Sequence, residues 1–155
     1  MFFISLFPGK SSADEKSADS LFRIIHSEVD DSLKFKAILE FTIYLIDTEP
    51  DSAFFMLEEA DKLLESIPSI EYRVKVNNTK AIILQTIGKY PEAIELLFST
   101  KQLMETIDGT VRDSANLADY LNTLNNIGLI FYKTDRYDNA IEYFNEAVEI
   151  LNNRS

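Results

Sequence analysis

The sequence predicts an all-α protein assembled from antiparallel helical hairpins, on three observations. Breakers are scarce, with 4 Gly and 4 Pro in 155 residues, and the Val, Ile and Thr alternation of strands is nearly absent. Between the breakers, apolar residues recur at three- and four-residue intervals. The punctuation that exists, namely Pro50, Pro68, Gly88 with Pro91, Gly109 and the polar run Thr134, Asp135, Arg136, cuts the chain into segments of helical length.

The chain opens with MFFISLFPGKSSADEK, an apolar block that passes through Pro8 to small residues ending at Ala13 and then turns acidic. That order resembles the end of a signal peptide without its basic start and full apolar core, and the alternative is a frayed apolar tail. Residues 1–18 are therefore assigned to a tail or signal-peptide remnant and residues 19–155 to the helical domain. A short helix is expected near Asp19 to Val29, followed by helices near Ser32 to Asp47 and Pro50 to Ser66. Three more are expected near Ser69 to Thr86, Pro91 to Asp108 and Asp113 to Lys133, and a last one near Tyr137 to Asn152. Pro91 suits a first helical turn, where its missing N–H has no partner to lose, and Gly88 and Gly109 suit the left-handed residue after a helix end. From Pro91 to Ile107, Ala93, Ile94, Leu97, Phe98 and Leu103 form one face, and Glu92, Glu95, Lys101 and Glu105 populate the other. Connections of a few residues force neighbouring helices antiparallel.

Composition narrows the function. The formal charge is −11, from 15 Lys plus Arg against 26 Asp plus Glu, so the chain repels phosphate backbones and anionic lipid surfaces, and nucleic acid is not an expected partner. No stretch is long and apolar enough to span a bilayer. There is no Cys and a single His, which removes disulfides, thiolate nucleophiles and cysteine metal sites. His26 has no clustered partners for metal or acid–base work and reads as solvated. Glu58 and Glu59 are adjacent and point apart around a helix. No phosphate loop or nucleophile motif is present, so no enzyme activity, cofactor or metal is expected. The compartment is left open between cytoplasm and export.

The chain repeats itself. KYPEAIELLFST, Lys89 to Thr100, aligns with RYDNAIEYFNEA, Arg136 to Ala147, placing Ala93 and Ala140 47 residues apart. The same offset pairs Asn78 with Asn125, Ala81 with Gly128 and Leu84 with Phe131. A weaker copy, EPDSAFFMLEEA from Glu49 to Ala60, keeps Ala53, Leu57 and Ala60, with Tyr44 upstream.

Small and aromatic residues in this order resemble the tetratricopeptide repeat. The last copy carries Leu124, Ile127, Gly128, Phe131, Tyr137, Ala140, Phe144 and Ala147 at the family's spacing. The middle copy keeps Ala81, Leu84, Tyr90, Ala93 and Leu97 and departs at Lys80 and Thr100. Repeats are assigned to about 32–67, 69–108 and 113–152. Their spacing exceeds the roughly 34 residues of the minimal repeat, which resembles the lengthened repeats of bacterial signalling and scaffold proteins. The resemblance implies a right-handed α-solenoid with a concave inner surface, non-catalytic, that binds a protein or peptide. Small residues at Ala81, Gly128, Ala93 and Ala140 would let helix axes approach, which must offset the roughly 1 kcal/mol that Gly costs inside a helix.

Projected on a helix, Leu124, Gly128 and Phe131 turn to the core and Asn122, Asn125, Leu129, Tyr132 and Lys133 fall on the neighbouring face. The equivalent stripe of the middle copy is Lys75, Asn78, Ile82, Gln85 and Thr86. Amides both donate and accept, so Asn78, Asn122 and Asn125 are expected to bond the backbone of an extended peptide in the concave groove, with Ile82, Leu129 and Tyr132 as apolar pockets. The alternative for Asn78 and Asn125 is a solvated residue or a bond between neighbouring helices. A different function is also open: Tyr143, Val148 and Ile150 are expected to leave the last helix partly uncovered, so the array would self-associate or stack on a following domain there.

Overall fold

The computed structural model describes residues 12–106 and 114–153. Among the described residues all regular structure is helical: α1 (Ser12–Ile25), α2 (Asp31–Leu45), α3 (Pro50–Leu63), α4 (Ile70–Thr86), α5 (Tyr90–Thr106), α6 (Ser114–Lys133) and α7 (Tyr137–Asn152). The expected helices from α2 onward are all present, with ends within three residues of the sequence reading. The first helix differs. It begins at Ser12 and stops at Ile25 rather than spanning Asp19 to Val29. Ser12 followed by Ala13, Asp14 and Glu15 is also a helix start with an acidic first turn, so α1 begins within the stretch that the sequence reading assigned to the tail. At the other end Ser27 Oγ donates to the Ile24 carbonyl at 2.8 Å and turns the chain away. Residues 1–11 and Gly109 lie outside the described residues.

The chain forms two compact units, Met1–Ile67 and Pro68–Ser155. In the first, α1 and α3 both lie on α2 and not on each other. Asp30 starts α2 by accepting from the Leu33 amide at 3.0 Å, which satisfies one of the free donors of the first turn. Pro50 opens α3 where no amide partner is lost. Ser66 Oγ, just past α3, donates to Asp31 Oδ2 at 2.6 Å and ties the hairpin's open end.

In the second unit α4 pairs with α5, α6 lies on both, and α7 folds back on α6. Both hairpins turn with the same bonds. The Lys89 amide reaches the Leu84 carbonyl at 2.8 Å and the Arg136 amide reaches Phe131 at 2.9 Å. The left-handed residue is Gly88 (φ 77) in one and Asp135 (φ 59) in the other, Asp being one of the few side chains that tolerates this region. The signature positions converge as the spacing requires: Ala81, Leu84, Ala93, Leu97, Phe131 and Ala140 form one buried cluster with Ile127 and Ile130. Gly128 is needed for closeness. A Cβ there would stand 2.5 Å from Phe144 Cε1, so the ring of α7 occupies the room that a side chain would take.

Candidate docking face on α6 and α7

The ten residues singled out by projection do not share one surface. Asn78 is 7% exposed, inside the α4–α6 contact. Its Nδ2 donates to Thr123 Oγ1 at 3.0 Å and to the Asp119 carbonyl at 3.3 Å, which is the bond between neighbouring helices that the sequence left open beside a peptide contact. Lys75 is likewise engaged, bonded to Glu71 and 3.7 Å from Asp119 Oδ2. Burial pulls Lys75 down, but Glu71 and Asp119 outweigh it and hold its pKa above the ordinary lysine value. Burial in turn raises Asp119, against the charge of Lys75. Ile82 and Gln85 are half-buried, and Gln85 Oε1 accepts from Lys133 Nζ at 3.4 Å.

On α6 the stripe is open. Asn122, Asn125, Tyr132 and Lys133 are exposed and Leu129 is half-buried. The Tyr132 ring meets Tyr137 edge-on, with centroids 5.6 Å apart, and carries the surface across to α7. There Ile141, Val148 and Leu151 are 56%, 52% and 51% exposed, in line with Tyr137 on one side of the helix. Tyr143 and Ile150, expected to be uncovered, are half-buried against the core. Tyr143 stacks on Phe131 at 5.6 Å, so of the three side chains expected to be uncovered, Val148 is the exposed one.

The repeat offset explains this face. In the middle copy the positions equivalent to Asn125, Ile141 and Leu151 are Asn78, Ile94 and Met104. Two are covered by α6, Asn78 through Thr123 and Met104, 2% exposed, against Tyr120 and Leu124, while Ile94 is half-buried and lines a cavity of about 420 Å³ with Ile130 and Phe131. Thus α6 is a helix seated on α4 and α5, and its own face with α7 is the same seat one repeat later. The seats differ at Lys101, whose counterpart is Val148. Lys101 Nζ contacts Glu105 at 2.5 Å and Glu146 at 3.4 Å. Tyr120 Oη stands 3.0 Å from Glu105 and 3.3 Å from Glu146. Burial pulls Lys101 down, yet Glu105, Tyr120 and Glu146 hold it well above the ordinary lysine value, while burial pushes the Tyr120 phenol up to about 12. At Val148 this polar brace has no equivalent, so the later seat is more apolar.

Sequence reasoning missed three participants, Asn77, Thr123 and Asp119. Asn77 Nδ2 donates to the buried Thr100 Oγ1 at 3.0 Å, which accounts for Thr100 where the signature has a smaller residue. Thr123 and Asp119 were visible as polar residues on the inward side of α6, opposite Asn78. No three His, Asp or Glu side chains converge as a metal site, and no helix is long and apolar enough to cross a membrane, among the described residues.

Residues 72–153 match the tetratricopeptide repeat family. The chain belongs to that family. Tetratricopeptide-repeat domains are generally protein-binding and typically non-catalytic, and a seat for a helix beside α6 and α7 fits that use. No curated protein and no solved structure matches the chain.

Proposed function

We propose that this tetratricopeptide-repeat chain is a protein-binding module whose partner seats an amphipathic helix on the face made by Asn122, Asn125, Leu129 and Tyr132 of α6 with Tyr137, Ile141, Val148 and Leu151 of α7. The observation that carries the reading is the pairing of Asn78 with Thr123: Asn125 stands one repeat later with its amide exposed. A partner helix presenting a Ser or Thr hydroxyl opposite Asn125 would reproduce that bond. Exposed Asp138, Glu142 and Glu149 border the apolar stripe of α7, so basic residues flanking the partner's apolar side complement it.

A helix is better supported than an extended peptide, because the ladder of asparagines that an extended backbone needs loses Asn78 to the core. Covering Ile141, Val148 and Leu151, each about half exposed, contributes on the order of 1 kcal/mol per side chain. Resemblance to the lengthened repeats of bacterial signalling and scaffold proteins supports a scaffold or sensory setting for such docking.

A labelled peptide of α6 itself, Ser114 to Lys133, is the test probe, since α6 is the helix that fits the preceding seat. It is expected to bind the full chain, to weaken when its Thr123 is replaced by Ala, and to be lost with Ile141→Glu. Affinity indifferent to both Asn125→Ala and Ile141→Glu, measured by fluorescence anisotropy, sinks the proposal.

A further inference from the structure

The first unit carries a groove that its counterpart in the second unit lacks. There, α5 and α7 flank α6, and the furrow between them is filled by the rings of Phe98, Phe131 and Tyr143, with centroid separations of 5.6 to 6.3 Å, and by Lys101 reaching Glu146. In the first unit α1 and α3 flank α2 in the same layout, without approaching each other among the described residues. A cavity of about 630 Å³ remains, floored by the buried Ile25 and Ile38 and walled by Phe22 on one side and Phe55, Met56 and Leu63 on the other. It adjoins a second hollow of about 480 Å³ that shares Phe55 and Met56 and reaches Phe41 and Leu45. From Lys34 to Leu45 the apolar floor runs roughly 16 Å along α2, about three helical turns.

The groove carries opposite polarity at its two ends: Glu49, Asp51 and Ser52 border the end near Leu45, and the cations lie at the other. Lys34, Lys62 and His26 line that end. Lys62 is held by Glu59 at 2.6 Å, and His26 Nδ1 lies 2.8 Å from the Phe22 carbonyl. Nearby carboxylates are engaged as well, Asp30 at the Leu33 amide and Asp31 with Ser66. Lys34 is left with no ion pair among the described residues, a cation bordering an apolar floor in a chain of net charge −11.

We propose that this groove binds an amphipathic helical segment of a partner protein, its apolar residues at i, i+3 or i+4 and i+7 seated between Phe22 and Phe55, and an acidic side chain near one end paired with Lys34. The width of the site selects a helix. Phe22 and Phe55 are 51% and 60% exposed on opposite rims, and an acyl chain at the bottom would leave their outer faces in water. A helix about 10 Å across covers both rims at once. This proposal concerns the first unit alone and does not depend on the seat beside α6 and α7.

The experiment is selection of a displayed library of helix-forming dodecapeptides on the full chain, with wild type, Phe55→Ser, Lys34→Glu and Ile141→Glu compared by anisotropy, and far-UV circular dichroism to establish that each variant is folded. Enriched peptides are expected to share three apolar positions at helical spacing and a terminal Asp or Glu. Their binding should fall at least about tenfold with Phe55→Ser and fall with Lys34→Glu. A peptide whose acidic residue is changed to Lys should recover binding to the Lys34→Glu chain, and Ile141→Glu should leave affinity unchanged. No enrichment, or enriched peptides indifferent to Phe55→Ser in a folded variant, overturns the proposal. So does dodecanoate binding that depends on Lys34 and displaces the peptides, which would assign the groove to acyl carboxylates.

Discussion

Adding one methyl group at Gly128 tests how α6 and α7 are held together. The added Cβ would stand 2.5, 2.8 and 2.9 Å from Cε1, Cδ1 and Cζ of Phe144, where ordinary contact begins at 3.4 Å. The ring must therefore retreat by about 1 Å, and overpacking of this kind costs about 1–3 kcal/mol. Helix propensity pulls the other way, because Ala is favoured over Gly inside a helix by about 1 kcal/mol. The expected net effect of Gly128→Ala is a destabilisation of about 1 kcal/mol, read as a lower urea midpoint by far-UV circular dichroism. The decisive comparison is the double-mutant cycle with Phe144→Ala. Once the ring is removed, Gly128→Ala should stabilise by about 1 kcal/mol, since only propensity remains. If Gly128→Ala raises the midpoint in the wild-type chain, or has the same effect in both backgrounds, the close approach of Phe144 is not what requires glycine.

Asn78→Ala should destabilise by about 1–3 kcal/mol, because it strips partners from buried Thr123, whereas Asn125→Ala at the equivalent exposed position should stay within about 0.5 kcal/mol; urea titrations of the two variants side by side check this. Gly88→Ala should lower stability by about 1 kcal/mol through strain alone, since nothing lies within 4 Å of the added methyl and the φ of 77° is the whole obstacle. Tyr120 gives a pH signature. Its pKa is raised from 10.0 to about 12 in the folded state, so its contribution to stability is complete below the unfolded value and is lost as pH rises through the folded one. Lys101, also raised, adds a loss in the same alkaline direction. The tyrosinate absorbance of wild type minus that of Tyr120→Phe should titrate near 12 rather than 10, and a difference titrating at the ordinary value would refute the buried placement.

The hairpins were legible because their causes are local. Pro50, Gly88 and the Thr134 to Arg136 turn stop helices by backbone geometry, and the 47-residue offset between Ala93 and Ala140 carries the packing pattern with it. The start of α1 lies earlier than the expected Asp19 because Ser12 to Glu15 also makes an acidic first helical turn, which the sequence reading left in the tail. The candidate site was legible only in part. Asn78 and Asn125 are the same residue at the same register, and what separates them is a helix arriving from 41 to 45 positions downstream. Periodicity says which way a side chain points on its own helix; it does not say what comes to cover it. The groove between α1 and α3 has the same character. Phe22 and Phe55 stand in apolar stretches of the sequence, and their exposure on the rims of the groove comes from packing that periodicity does not show.

Tyr120 makes α5, α6 and α7 answer to one another. Its single phenolic proton lies between a carboxylate of α5 and one of α7, with the Lys101 ammonium 5.7 Å above its ring. Lifting α7 away would remove Glu146 from both the phenol and the ammonium, and leave Glu105 to balance them alone. The three helices thus share a joint in which no two close fully without the third. Fraying that begins at the C-terminal end of α7 should accordingly be felt in the amide exchange of α5, on a helix with which α7 makes no backbone approach of its own.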